Sequence, residues 1–199
     1  MRGTFIVLDG IDGSGKSTQA RLLEAWLRKR GEKVLMMHEP GSDNPLGRRI
    51  KGLVRERKKS ISASKWVELF SRERRYHMKG LKKALSEGET VISDRYYYST
   101  MAYQLDERRW KAYARKFIKP DLALILDLPI GQALKRINKK NAERHLRIAV
   151  FERALLLSEV KAKFLMIGKK FGEVRVISSE KSPSAIFKEL KSEVEKTIR

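Results

Sequence analysis

Five apolar runs, the amphipathic stretches between them and a glycine-rich turn behind the first run predict an α/β fold. That fold is a five-stranded parallel sheet flanked by helices on both faces. The runs are Phe5 to Leu8, Val34 to Met37, Val91 to Ser93, Leu122 to Leu126 and Val174 to Ile177. They read as continuous hydrophobic segments because a strand covered on both sides has no solvent face to alternate with. The 199 residues suit a single domain spanning 1–199. A chain of that size buries about 70% of its unfolded surface and needs no covalent staples.

Taken in order, the first run leads into Gly10-Ile11-Asp12-Gly13-Ser14-Gly15-Lys16-Ser17-Thr18. This is G-x-x-x-x-G-K-[ST] between a strand and a helix, the P-loop of P-loop NTPases. Its glycines let successive backbone N–H groups turn inward around an anion. Lys16 then reaches the β- and γ-phosphates of ATP, and the Ser17 hydroxyl ligates Mg²⁺. Thr18 to Arg30 reads as a helix with Leu22, Leu23, Trp26 and Leu27 on one face, its N-terminus aimed at the phosphates. After the second run, Glu39-Pro40-Gly41-Ser42-Asp43-Asn44-Pro45 is a loop of turn formers. Trp66, Leu69, Phe70, Glu73, His77, Leu81 and Leu85 then follow helical spacing.

The third run ends in Asp94 followed at once by Arg95. Beside a P-loop, an acid at a strand's carboxyl end suits Mg²⁺, and the adjacent Arg offers a bidentate fork to a second phosphate. Asn138 to Arg144 is a polar, cationic connection between two helices, the second carrying Val160, Phe164, Ile167 and Phe171. Ser182-Pro183 supplies an N-cap and a first-turn proline before the stripe Ile186, Leu190, Val194 and Ile198. Ligands of open α/β sheets sit beyond the carboxyl ends of the strands. The Gly10 loop, the Glu39 loop and Asp94 are therefore expected to converge on one crevice.

Composition narrows the function classes. The chain has no cysteine, which excludes disulfides, thiolate metal sites and cysteine nucleophiles. No apolar run approaches the roughly 20 residues of a membrane span and no signal peptide is visible, so a soluble, cytoplasmic protein is expected. His38, His77 and His145 show no metal-ligand spacing. With 45 Lys and Arg against 24 Asp and Glu, the formal charge is +21. The basic residues are scattered over every segment, which fits a hot or salty habitat and predicts only non-specific contact with nucleic acid.

Several motifs in fixed order carry a family resemblance. Phe5 to Thr18, Glu39-Pro40-Gly41, Leu69-Phe70-Ser71-Arg72-Glu73-Arg74, Asp94-Arg95-Tyr96, Ser99-Thr100-Met101-Ala102-Tyr103-Gln104 and Pro120-Asp121-Leu122 through Asp127 resemble thymidylate kinase. The Asp-Arg-Tyr phrase with Ser-Thr-x-Ala-Tyr-Gln is far more specific than the P-loop. The resemblance implies phosphoryl transfer from ATP·Mg²⁺ to dTMP and a homodimer packed through helices. By the same resemblance, Phe70 stacks on thymine, Arg74 and Thr100 contact the base edge, and Tyr103 packs near the sugar 2′-carbon. Asp12 binds the 3′-hydroxyl, Arg95 the acceptor phosphate, and Glu39 and Ser99 line the substrate. Arg136 stacks on adenine beside the Ser178 to Ser182 loop. Some members carry an arginine within the P-loop where this chain has Gly13. The resemblance then implies a short lid, roughly Asn138 to Arg147, that supplies the missing catalytic charge through Arg144 or Arg147.

The chain departs from the family pattern in two places. His38 stands where an arginine often precedes Glu-Pro-Gly, leaving Arg48 or Arg49 as substitute phosphate contacts, and the glycine-containing insert after Tyr103-Gln104 is absent. These departures keep open a kinase for a different nucleoside monophosphate, and the charge of +21 keeps open a nucleic-acid-associated ATP-binding protein.

Overall fold

The computed structural model describes residues 2–56, 61–142 and 150–198. Strands β1 (Phe5–Gly10), β2 (Val34–His38), β3 (Thr90–Asp94), β4 (Leu122–Asp127) and β5 (Val174–Ser178) form one parallel sheet in the order β2-β3-β1-β4-β5. Phe5 lies opposite Val91 and Leu8 opposite Asp94. The three inner strands β1, β3 and β4 are buried almost throughout, which is why their sequences read as unbroken apolar runs. The edge strands β2 and β5 are partly exposed.

Helices α1 (Lys16–Lys29), α2 (Pro45–Glu56), α3 (Ala63–Ser86), α4 (Tyr97–Gln104), α5 (Trp110–Ala114), α6 (Ile130–Ala142), α7 (Val150–Lys170) and α8 (Pro183–Thr197) cover both faces. The two-residue period of a strand sends Ile6 and Leu8 to one side and Phe5 and Val7 to the other. On the first side they pack with Ala20, Leu23 and Leu27 of α1 and Ile186, Leu190 and Val194 of α8. On the second they meet Leu81 and Leu85 of α3, Tyr97 and Met101 of α4, and Val160, Phe164 and Ile167 of α7. The fold class is therefore as predicted, with one core on each side of the sheet.

Local signals explain most helix boundaries. The Ser182 hydroxyl accepts from the Ala185 N–H, and Pro183 occupies the first turn of α8. Ser62 caps α3 in the same way through the Lys65 N–H. Two expectations shift. α1 begins at Lys16, and its buried face is Ala20, Leu23 and Leu27, so Leu22 turns outward with 37% of its surface exposed. The expected connection at Asn138 is helical through Ala142, because the segment holds neither glycine nor proline and its lysines and alanine propagate α6. The remainder of the expected lid, with Arg144 and Arg147, lies outside the described residues.

β1 sits between β3 and β4: the chain leaves β1 toward β2 on one side, and after β3 it crosses past β1 to β4 on the other. Strand order thus reverses at the carboxyl end of β1, the place where open sheets hold ligands.

Candidate active site

The loop after β1 is shaped for an anion. Gly10, Gly13 and Gly15 all have positive φ, which glycine adopts without the penalty a Cβ would bring. At Gly13 (φ 83°) a Cβ would also lie 2.8 Å from the Ala133 carbonyl oxygen of α6. Lys16 is buried, with Nζ donating to Gly10 O at 3.0 Å and Ile11 O at 2.8 Å. Burial, joined by the like charge of Arg95, pushes its ammonium down to about 8, against the pull of Asp12, Asp9 and Asp94. A phosphate arriving here would relieve that electrostatic debt.

β3 delivers Asp94 to the same point. The Ser17 hydroxyl donates to Asp94 Oδ2 at 2.5 Å, and His38 Nδ1 lies 3.1 Å from that oxygen. Burial opposes the charge on Asp94, but the hydrogen bonds from His38 and Ser17 outweigh it and hold the carboxyl at about 2. Its Oδ1 is buried without a hydrogen-bond partner. One open carboxylate oxygen beside one hydroxyl fits Mg²⁺, which takes few protein ligands and completes its shell with phosphates and water. Among the described residues there is no group of three or more His, Asp or Glu that could hold a metal ion.

Arg95 follows with φ 76°, a left-handed conformation rare outside glycine. Its Nη2 donates to Asp12 Oδ1 at 2.5 Å and its Nη1 to the Ser99 hydroxyl at 2.9 Å. Asp12 Oδ2 also faces Arg153 Nη2 of α7 at 3.6 Å. Arg153 carries no sequence signal, since it joins the P-loop only through the folding of α7 over the sheet. On the donor side Arg136 bridges Gly13 O at 3.2 Å and Ser179 O at 3.3 Å, tying the P-loop to the loop after β5.

The remaining expected site residues sit on α3 and α4. Phe70 and Arg74 share a helical face as expected, but their environments differ. Phe70 is half-buried and stacks on Trp66 with centroids 5.6 Å apart. Arg74 is 2% exposed, lying between the rings of Tyr96 and Phe117. Arg74 Nε and Nη2 both reach Glu39 Oε2, at 2.8 and 2.7 Å. Nη1 donates to Tyr113 Oη at 3.0 Å and Nη2 to Thr100 Oγ1 at 3.2 Å. Glu39 Oε1 is left buried without a partner. Arg74 is thus a buried ion-pair centre with Thr100 as its direct neighbour. Tyr103 is half-buried, its ring edge-on to Phe164 at 6.4 Å.

The Glu39 loop is held from below. Glu73 Oε1 accepts from the Gly41 N–H at 2.7 Å and from Asn44 Nδ2 at 3.3 Å, with His77 Nε2 at 2.8 Å. Asn44 Oδ1 accepts from the Gly47 N–H at 2.7 Å. Glu73 and His77 were visible as members of a helical stripe, whereas Asn44 and Tyr113 gave no functional signal. Arg48 is drawn to the loop itself, donating to Ser42 O at 2.8 Å.

The close approach of α6 makes Gly13 intolerant of any side chain. Gly13→Ala is expected to cost about 1–3 kcal/mol through backbone strain and to weaken anion binding at the loop. Thermal unfolding and a titration with inorganic phosphate check this, and unchanged stability and affinity would refute it.

Three comparisons bear on this geometry. The family model described as "Thymidylate kinase" matches residues 8–190. A Pyrococcus horikoshii protein named "Probable thymidylate kinase" is 38% identical, the match covering 90% of this chain and 89% of that relative. A Nitrosospira multiformis protein named "Thymidylate kinase" is 34% identical across 100% of this chain and 98% of its own. The crystal structure of thymidylate kinase from Ehrlichia chaffeensis superimposes with a TM-score of 0.74 at 23% identity, covering 98% of this chain and 100% of that one, a likeness of fold. The motifs on the strand ends, the family model and the full-length relatives agree, and the chain belongs to the thymidylate kinase family.

Proposed function

We propose that this protein transfers the γ-phosphoryl group of ATP to the 5′-phosphate of dTMP, giving ADP and dTDP. One observation carries the reading. The loop after β1 and the turn after β3, to which we assign the donor and acceptor phosphates, stand side by side and are joined by Ser17–Asp94 and Arg95–Asp12 hydrogen bonds. A chain that only hydrolysed ATP would need the first element; an acceptor phosphate needs the second.

In the reaction an acceptor phosphate oxygen bonds to the γ-phosphorus while the bridge to the β-phosphate breaks and ADP leaves. Both reactants are polyanions, so the barrier is largely a matter of positioning and charge. Lys16 and the loop N–H groups from Gly10 to Thr18, with Ile11 and Ser14 inside the turn, hold the donor phosphates. Arg95 holds the acceptor phosphate, and Arg144 or Arg147 adds charge from the lid. Ser17 and Asp94 would hold Mg²⁺, which supplies charge neutralisation on the donor phosphates when bound. Asp12 binds the 3′-hydroxyl and Phe70 stacks on thymine. Arg74, Thr100, Glu39 and Ser99 line or support the acceptor pocket, Tyr103 excludes a 2′-hydroxyl, and Arg136 flanks adenine. The buried open oxygen of Glu39 supports a ligand-facing role.

Lys16→Ala is expected to lower kcat at least about 10³-fold with the fold retained; circular dichroism and steady-state kinetics test it, and near-normal turnover would sink the assignment. Phe70→Ala should raise KM for dTMP about tenfold with KM for ATP unchanged. Initial rates of ADP release across dTMP, dUMP, dGMP, dCMP, UMP and AMP should be highest with dTMP. A preference for another monophosphate would move the protein to a different acceptor, and release only with single-stranded DNA would favour the nucleic-acid alternative.

No described helix is long and apolar enough to cross a membrane, and we place the kinase in the cytoplasm. We also propose a homodimer packed through helices. A groove of about 820 Å³ between the free edge of β2 and α3, lined by Leu35, Met37 and Leu81 and flanked by the exposed Tyr76, supports it. Sedimentation equilibrium should give twice the chain mass, and Tyr76→Glu should shift it toward the monomer; a wild-type monomer at micromolar concentration would refute the dimer.

A further inference from the structure

The residue that most tightly links the two phosphate elements is Asp9, the penultimate residue of β1, whose side chain is fully buried. Its Oδ1 accepts from the Gly10 N–H at 2.9 Å and from the Ser99 hydroxyl at 2.6 Å. Its Oδ2 accepts from the Tyr96 N–H at 3.2 Å and the Ser99 N–H at 2.9 Å. These donors come from the P-loop on one side and from the turn that carries Arg95 on the other. The strands do not need Asp9 to stay together, since β1 and β3 pair from Phe5–Val91 to Leu8–Asp94 and Arg95 N donates to Leu8 O at 2.9 Å just beyond that ladder.

What the carboxylate adds is control of Arg95. The left-handed backbone at Arg95 is followed directly by two of its N–H contacts, from Tyr96 and Ser99. Ser99 then passes the interaction on, because the oxygen that donates to Asp9 accepts from Arg95 Nη1 at 2.9 Å. Arg95 Nη1 itself stands 4.0 Å from Asp9 Oδ1. With Asp12 holding Nη2, the guanidinium fork is fixed at both of its tips.

We propose that Asp9 and Ser99 are positioning residues for Arg95: the carboxylate sets the left-handed turn and the Ser99 hydroxyl aims the guanidinium at the acceptor's phosphate monoester. The proposal rests on the acceptor role given to Arg95 above. It reassigns Ser99 from touching substrate to holding the group that does. It also means that the Gly10 end of the donor loop and the acceptor cation share one anchor.

Asp9→Asn cannot reproduce the site in either amide orientation. Each carboxylate oxygen already receives two donors, so the NH₂ group would face N–H or O–H groups whichever way it turned. Since that variant risks misfolding, the decisive test uses Ser99. Steady-state kinetics are measured for wild type, Ser99→Ala, Ser99→Thr, Arg95→Ala and the Ser99→Ala/Arg95→Ala double variant, with melting temperatures alongside. Ser99→Ala should raise KM for dTMP about tenfold, with KM for ATP within about twofold. Ser99→Thr, which keeps the hydroxyl, should restore most of the loss. In the Arg95→Ala background, Ser99→Ala should have no further effect on KM for dTMP. An equal penalty in both backgrounds would mean that Ser99 touches the nucleotide itself, and a lowered melting temperature with unchanged kinetics would mean a purely structural role; either overturns the proposal. If Arg95→Ala alone left KM for dTMP unchanged, the acceptor role of Arg95 would fail and the proposal with it.

Discussion

The parallel pairing of β1 with β3, in the register that sets Leu8 opposite Asp94, is the constraint on which the rest of the site depends. A parallel ladder sends both strands out on the same side of the sheet, so the loop after β1 and the turn after β3 emerge as neighbours. From that register follow the Ser17–Asp94 bond, the Asp12–Arg95 pair and the burial of Asp9 between them. A one-residue slip would turn the side chains of β3 to the opposite face and separate Asp94 from Ser17. The apolar packing on both sides is what holds the register: Phe5, Val7 and Val91 lie in one core, Ile6, Leu8 and Ile92 in the other.

The crevice concentrates like charges that no folded protein would gather without a use for them. Lys16 and Arg95 repel each other, and Asp9, Asp12 and Asp94 stand close enough to stabilise both cations. A buried ion pair contributes little net stability, since desolvation offsets most of the attraction. The same reasoning applies to Arg74 and Glu39, both nearly inaccessible and paired through a single carboxylate oxygen. Such arrangements earn their place through positioning: a fixed guanidinium does not have to be ordered during the reaction, so more of the binding energy is available for catalysis.

Much of this was legible in the sequence, and the rest was hidden for identifiable reasons. Periodicity located the strands, and the glycine pattern located the donor loop, because both are local properties of the chain. Asp9 was masked by its position at the end of an apolar run, where a single acid is easily taken for the start of the turn. The spacing of Phe70 and Arg74 puts them on one helical face, but it does not reveal that Arg74 is buried there against Glu39, Tyr113 and two aromatic rings. Arg153 was invisible because its partner, Asp12, lies at the other end of the chain and only the path of α7 brings them together. The charge of the stretch after Ile137 suggests a connection, but charge does not prevent a helix where glycine and proline are missing, and α6 runs through Ala142.

The packing of α6 on the P-loop also decides where positive charge can enter. A side chain at Gly13 would run into the Ala133 carbonyl and would need a left-handed backbone, so the loop itself has no room for a further cation. The space is taken by the first turns of α6, which in return bring Arg136 onto Gly13 O and Ser179 O. Beyond Lys16, further cations therefore come to the loop from elements later in the chain. Arg153 at the start of α7 already faces Asp12, and the segment joining α6 to α7 contains Arg144 and Arg147. Close packing at one glycine thus keeps a side chain out of the P-loop at position 13 and places Arg136 and Arg153, both from later helices, against its two sides.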